Sequence, residues 1–264
     1  MVPFLKSKKS VKMECLHILG GVPLKGSLRI NGAKNGALPL IVASLLTDHP
    51  LVLEKIPLVA DIYSMKDLLE SLGTSIEQVD NTFTLQTKDI LSFRASYERV
   101  RKMRASIVVL GALLARHGKA EVSLPGGCAI GVRPINFHLD GLRALGVDLE
   151  IHQGYVIAQA PSGGLPGGHY AFPKESMTGT QNLLFAAVLA KGESCLMNAS
   201  HEPEITDLIT CLQKMGAIIE GKGTSTLLIQ GKPSLSGTQH AVLPDRIEMG
   251  TFMIAAAITK GDIV

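Results

Sequence analysis

Four apolar, helix-like runs recur along this 264-residue chain at intervals of roughly 70 residues, opening at Asn35, Arg104, Gly179 and Glu248. A repeat of that length constrains the fold more tightly than any composition. Each unit must be one supersecondary element that buries its apolar face against its copies. A second landmark keeps the same period. Leu69-Glu-Ser-Leu-Gly73, Leu142-Arg-Ala-Leu-Gly146 and Leu212-Gln-Lys-Met-Gly216 each end an amphipathic pattern on a glycine suited to a left-handed helix cap. Alternating strand patterns follow, as in Gly146-Val-Asp-Leu-Glu-Ile151 and Gly216-Ala-Ile-Ile-Glu220. One unit therefore reads as apolar helix, strand, amphipathic helix and strand pair, which places the chain in the α/β class, or α+β in some schemes.

The fourth run, through Phe252-Met-Ile-Ala-Ala-Ala-Ile258, is followed by only a few residues before Val264. A new strand there would lack backbone partners, so the reading predicts a truncated protein with three complete units and the start of a fourth.

Composition narrows the function. With 46% hydrophobic and 19% charged residues the chain can build a large core. A formal charge of +3, without long like-charge blocks after the first dozen residues, is not the footprint of a nucleic-acid binder. Aromatic content of 4%, with no tryptophan, argues against base- or sugar-stacking platforms. The four cysteines, Cys15, Cys128, Cys195 and Cys211, form neither a metal-type pair nor a dense disulfide spacing, which points to a reducing compartment. His201-Glu-Pro-Glu-Ile205 begins like a metalloprotease helix, but its fifth residue is isoleucine and Pro203 would interrupt the helix, so it reads as a turn. The longest apolar runs are far shorter than the roughly 18 residues that span a membrane. Met1 to Lys12 lacks the apolar stretch and cleavage site of a signal peptide and reads as a disordered extension.

The most informative motif is Leu124-Pro-Gly-Gly-Cys-Ala-Ile-Gly-Val-Arg-Pro134. Glycines let this backbone turn sharply and approach a ligand, while Pro125 and Pro134 forbid a continuous helix. A free cysteine is more often a small buried hydrophobe, but on such a loop the Cys128 thiol becomes a candidate reactive group, with Arg133 close by in sequence.

Together with Gly32-Ala-Lys-Asn-Gly-Ala-Leu-Pro39, Met103-Arg-Ala-Ser106 and Leu243-Pro-Asp-Arg-Ile-Glu248, that loop makes the chain, from about His17 onward, resemble the UDP-N-acetylglucosamine 1-carboxyvinyltransferases. These are the enolpyruvyl transferases that open peptidoglycan synthesis, and so serve cell wall, cell shape and cell division. The resemblance implies βαβαββ units in an inside-out α/β barrel (an α-β prism), with helices packed inside and sheets outside. It implies residues 1–12 as an extension, 13–33 as a strand region pairing with a second domain, 34–243 as a three-repeat first domain and 244–264 as the start of the second. It also implies transfer of the enolpyruvyl group of phosphoenolpyruvate to the 3'-hydroxyl of UDP-N-acetylglucosamine in the cytoplasm, with phosphate released and neither metal nor organic cofactor. A fragment lacking the second domain is expected to have negligible turnover.

Carried over residue by residue, Cys128 is the proton donor and can form a phosphoenolpyruvate adduct, and Lys34 and Asn35 bind phosphoenolpyruvate. Arg104 binds substrate. Arg133, Pro134, Ile135, Asn136 and Phe137, with Lys174, Glu175, Ser176 and Met177, hold the nucleotide sugar. Asn136 stands where the family commonly has aspartate, which alters the donors and acceptors offered to uracil. Taken alone, Lys34-Asn35 would read as a solvated lysine beside a helix-capping asparagine, and Lys174 to Met177 as a polar turn. Asp245, Arg246 and Glu248 fit an interdomain salt-bridge network as well as substrate contact, and His138 and His201 read as structural. Two rivals remain: the shikimate-pathway enolpyruvyl transferase, which shares the repeat without depending on a cysteine loop, and a non-catalytic nucleotide-sugar-binding module.

Overall fold

The structure, a computed structural model, describes residues 17, 20–101, 103–124 and 135–264, with Arg104 described by its main chain alone. The predicted 1–12 extension lies outside the described residues. In chain order the elements are β1 (Lys25–Gly26), α1 (Lys34–Ala43), β2 (Leu51–Glu54), α2 (Ala60–Leu72), β3 (Ser75–Val79), β4 (Thr82–Gln86) and β5 (Arg94–Ala95). Then come α3 (Tyr97–Val100), a 3-10 helix over Arg104–Val108, α4 (Val109–His117), β6 (Lys119–Ser123), α5 (Asn136–Ala144), β7 (Asp148–His152), β8 (Tyr155–Gln159) and β9 (His169–Ala171). The chain continues through α6 (Met177–Ala187), β10 (Glu193–Met197), α7 (Pro203–Lys214), β11 (Ile218–Glu220), β12 (Thr226–Gln230), β13 (Thr238–Ala241), α8 (Arg246–Thr259) and β14 (Asp262–Ile263).

Two compact units emerge, Ile30–Glu248 and a smaller one that combines residues up to Arg29 with Met249–Val264. In the smaller unit β1 runs parallel to β14, with Lys25 opposite Asp262. Among the described residues before α1, regular strand is confined to Lys25–Gly26.

The larger unit is built on the repeat. α1, α4 and α6 are covered on all sides along most of their length, and Gly36–Ala43, Val109–Leu114 and Gly179–Ala187 are buried without a break. α2, α5 and α7 are amphipathic, and each stops at a glycine of positive φ: Gly73 at 115°, Gly146 at 91° and Gly216 at 102°. The three sheets have one face against these helices and the other toward solvent. Leu51 and Leu53 of β2, Leu227 and Ile229 of β12, and Val156 and Ala158 of β8 point inward, and their neighbours outward. Helices are thus inside and sheets outside.

Each sheet takes three strands from its own unit and one from the unit before. β5 lies parallel to β6 in the order β5-β6-β8-β7, and β9 lies parallel to β10 in the order β9-β10-β12-β11. The first sheet, β13-β2-β4-β3, takes its fourth strand from the end of the third unit, with Thr238 opposite Leu51. The three units therefore close on themselves.

α4 and α6 approach closely through Gly111. Its N–H donates to Asn182 Oδ1 at 2.6 Å, and an added Cβ would overlap the Asn182 main-chain carbonyl. The sequence reading of His201-Glu-Pro-Glu-Ile205 as a turn is corrected in part. Only His201 and Glu202 precede the helix, while Pro203 opens α7, where its missing N–H would have had no helical acceptor. We expect Gly111→Ala to destabilise the protein by about 2 kcal/mol, because overpacking outweighs the gain of about 1 kcal/mol in helix propensity. Urea denaturation measures this, and an unchanged or raised midpoint would contradict the close packing of α4 on α6.

Candidate functional site

The opening turn of α1 carries Lys34 and Asn35 directly after Ala33. Ala33 takes the N-cap position without a side-chain hydrogen bond, and Asn35 is the second residue of the helix, so the capping role that propensity offered for asparagine is not used. Pro39 lies inside α1 and removes the helical donor that would otherwise bond the Asn35 carbonyl. A lysine is the wrong charge for a helix N-terminus, whose exposed amides already favour anions. Two carboxylates offset it. Lys34 Nζ lies 2.8 Å from Asp61 Oδ2 in the first turn of α2, and the Lys34 main-chain N–H donates to Asp245 Oδ2 at 3.4 Å. Both members of the Lys34–Asp61 pair keep more than a third of their side-chain surface exposed. An anionic ligand can replace Asp61 there.

Gly32 to Asn35 is fastened along the Leu243–Asp245 segment. The Ala33 N–H donates to the Leu243 carbonyl at 2.8 Å, the Asp245 N–H donates to the Asn31 carbonyl at 2.9 Å, and Gly32 bridges Pro244. Gly36 lets Leu243 sit where a Cβ would be only 2.6 Å from its Cδ2. Behind this seam Asp207 of α7 accepts from the Leu243 N–H at 3.3 Å and faces His240 Nε2 at 2.9 Å, while Lys214 Nζ reaches His240 Nδ1 at 3.3 Å. Sequence reasoning missed this group and Asp61, because neither belongs to a motif whose spacing reveals a partner so distant in sequence.

Asp245, Arg246 and Glu248 form a polar network within the larger unit. Asp245 Oδ1 accepts from the Ile247 and Glu248 N–H groups at the start of α8, and Glu248 accepts from the Asn31 main chain and side chain at 2.8 and 2.9 Å. Arg246 grips Glu204 through Nε at 3.0 Å and Nη2 at 3.2 Å, with Glu202 at 3.8 Å. Hydrogen bonds donated to Glu204, and the charges of Glu204, Glu202 and Asp245, hold the Arg246 guanidinium above its ordinary range. Glu204 is only 1% exposed, so it depends on this partner.

Of the remaining predicted residues, Arg104 opens the 3-10 helix before α4. Ile135 precedes α5, whose first residues are the exposed Asn136 and the half-buried Phe137. Lys174 and Glu175 are exposed just before α6. Ser176 is the N-cap of α6, accepting from the Gly179 N–H at 3.2 Å, and Met177 follows as the first helical residue. Cys128, Arg133 and Pro134 lie outside the described residues. Cys195 and Cys211 are both buried. Burial pushes the Cys211 thiol up to about 12, with Asp207 adding to the shift and Lys214 opposing it.

Two outcomes follow from this geometry. Arg246→Ala should lower stability by about 2 to 3 kcal/mol in urea denaturation, because it strands a buried carboxylate. A loss under about 0.5 kcal/mol, the level of an exposed pair, would contradict the burial of Glu204. Carbamidomethylation of Cys211 near pH 7.5 should be at least a thousandfold slower in the native chain than in urea, roughly the ratio of thiolate populations. Labelling of Cys211 at the rate of the unfolded chain would refute its burial.

The family model described as EPSP synthase (3-phosphoshikimate 1-carboxyvinyltransferase) matches residues 18–264. Among curated proteins, a UDP-N-acetylglucosamine 1-carboxyvinyltransferase of Rhodospirillum centenum is 53% identical over 261 residues, covering 95% of this chain and 60% of the relative. One from Solibacter usitatus is 53% identical over 251 residues, with the same coverage. The chain thus spans about 60% of the length of these relatives. Among solved structures, the enolpyruvyl transferase NikO from Streptomyces tendae superposes with a TM-score of 0.74 at 22% identity, covering 89% of this chain and 55% of that one. EPSP synthase from Acinetobacter baumannii superposes with a TM-score of 0.69 at 20% identity, covering 91% and 54%. The likeness to these two structures is one of fold, and with the family match over nearly the whole sequence it establishes that the chain belongs to the EPSP synthase family of carboxyvinyl transferases.

Proposed function

We propose that this chain forms part of a cytoplasmic transferase that moves the enolpyruvyl group of phosphoenolpyruvate to the 3'-hydroxyl of UDP-N-acetylglucosamine, releasing phosphate in peptidoglycan synthesis. The observation that carries this reading is about 50% identity over 95% or more of the chain to relatives named for that reaction, against 20% to an EPSP synthase of known structure. The shikimate-pathway alternative rests on the family description and on a likeness of fold at 20% identity. The lysine at the α1 N-terminus, counterbalanced by exposed Asp61, supports the choice of a phosphorylated substrate.

In this reading the Lys34 ammonium exchanges Asp61 for the phosphate of phosphoenolpyruvate, and Asn35 orients it. The Cys128 thiol delivers a proton to C3 as the sugar 3'-hydroxyl gives up its proton and adds at C2, and loss of a proton from C3 with departure of phosphate from C2 then forms the enol ether. Arg104, Arg133 to Phe137 and Lys174 to Met177 hold the nucleotide sugar. Residues 244–264 begin a second domain to which residues 13–33 belong, a grouping that the pairing of β1 with β14 supports.

The test is intact mass and peptide mapping after incubation with phosphoenolpyruvate and UDP-N-acetylglucosamine. Addition of the thiol across the enol double bond forms a bond from sulfur to C2 and places the proton on C3, adding the full mass of phosphoenolpyruvate. One such addition at Cys128, lost in Cys128→Ala, is the expected outcome. Modification scattered over Cys15, Cys195 and Cys211, or none at all, would overturn the role given to Cys128.

A further inference from the structure

The segments assigned to the nucleotide sugar leave the chain in three separate places, yet one buried side chain touches the elements behind all of them. Asn182 lies in the middle of α6, beside the buried Thr180 and Gln181, and is itself completely buried. The Gly111 main-chain N–H can only donate, so the Asn182 atom 2.6 Å away is Oδ1. The amide nitrogen then faces the Ile107 carbonyl at 3.4 Å and His138 Nδ1 at 3.0 Å. Because that nitrogen can only donate, His138 Nδ1 accepts, its Nε2 carries the ring proton, and the proton points at Thr178 Oγ1, 3.2 Å away. A single main-chain N–H thus fixes the polarity of the whole chain of contacts.

Each contact lies within a turn of a predicted substrate residue. Ile107 closes the turn that Arg104 opens, His138 follows Asn136 and Phe137, and Thr178 follows Met177. An apolar side chain would fill the Asn182 site with no need for partners, whereas a buried amide is tolerable only when each of its groups is matched. Such a network specifies one relative placement of the helices and opposes sliding. Leucine ridges elsewhere on α6 do not, since apolar packing is not directional.

We infer that Asn182 and His138 form a positioning pair that sets the 3-10 helix of Arg104 and the first turns of α5 and α6 in the register needed to hold the nucleotide sugar. This inference rests on the assignment of UDP-N-acetylglucosamine to those segments. Neither side chain touches the ligand. They act through the backbone they align.

The experiment is calorimetric titration of the 264-residue chain with UDP-N-acetylglucosamine, paired with thermal melts so that binding is compared where every variant is folded. Asn182→Leu, close in volume and better suited to an apolar core, should bind about tenfold more weakly, in keeping with the loss of a supporting shell. If that variant does not fold, Thr178→Val carries the test. It removes an acceptor that faces His138 Nε2 and should bind about threefold more weakly, while Thr178→Ser keeps the hydroxyl and should restore native affinity. Folded Asn182→Leu with native affinity, or Thr178→Val indistinguishable from Thr178→Ser, would overturn the inference while leaving the nucleotide-sugar reading intact. Failure of the unsubstituted chain to bind the nucleotide sugar at millimolar concentration would overturn that reading, and the inference with it.

Discussion

An α-helix with no polar face is stable only where neighbours cover it on every side, and this requirement organises the molecule. α1, α4 and α6 are three such helices, and none can be buried by its own unit alone. Packing them together makes each a wall for the others, and the amphipathic helices and inward sheet faces complete the cover. Small residues at the contacts permit the approach. Gly111 lies against Asn182, and an added Cβ at Gly141 would overlap the tip of Leu183. Sheets consequently become the outer shell, with one solvated face each, the usual allocation for antiparallel strands.

Much of this architecture was legible in the residues, because burial and cap geometry leave local traces. Gly73, Gly146 and Gly216 marked three helix ends through the one backbone conformation that glycine adopts at no cost. Apolar runs without periodicity marked the interior helices. Pro203 misled only because a proline that interrupts a helix and one that begins it look alike without the preceding residues' conformation.

The candidate site was legible only where a motif carried it. Lys34 and Asn35 stood out in a distinctive run, and their placement at a helix start is as local as the motif itself. The Lys34 partner Asp61, the Asp207–His240–Lys214 group and the grip of Arg246 on Glu204 come from tertiary contacts between residues with no common spacing. Position relative to the helix dipole gives those charges their meaning. Lys34 opposes the dipole of α1, and Asp61 and Asp245 compensate, whereas Asp61 and Glu204 carry the sign that the first turns of α2 and α7 favour.

Closure of the ring by β13 also sets an order of events during synthesis. The second and third sheets find their borrowed strands, β5 and β9, already made when β6 and β10 leave the ribosome. The first sheet has no such provision. Its strand β2 exposes an unpaired edge until β13 arrives, roughly 190 residues later, a separation that makes this contact slow to form and the open edge prone to mispairing. Of the three sheets, the one begun first is therefore the last to be sealed, and its open edge is exposed for longer than its local helical contacts would indicate.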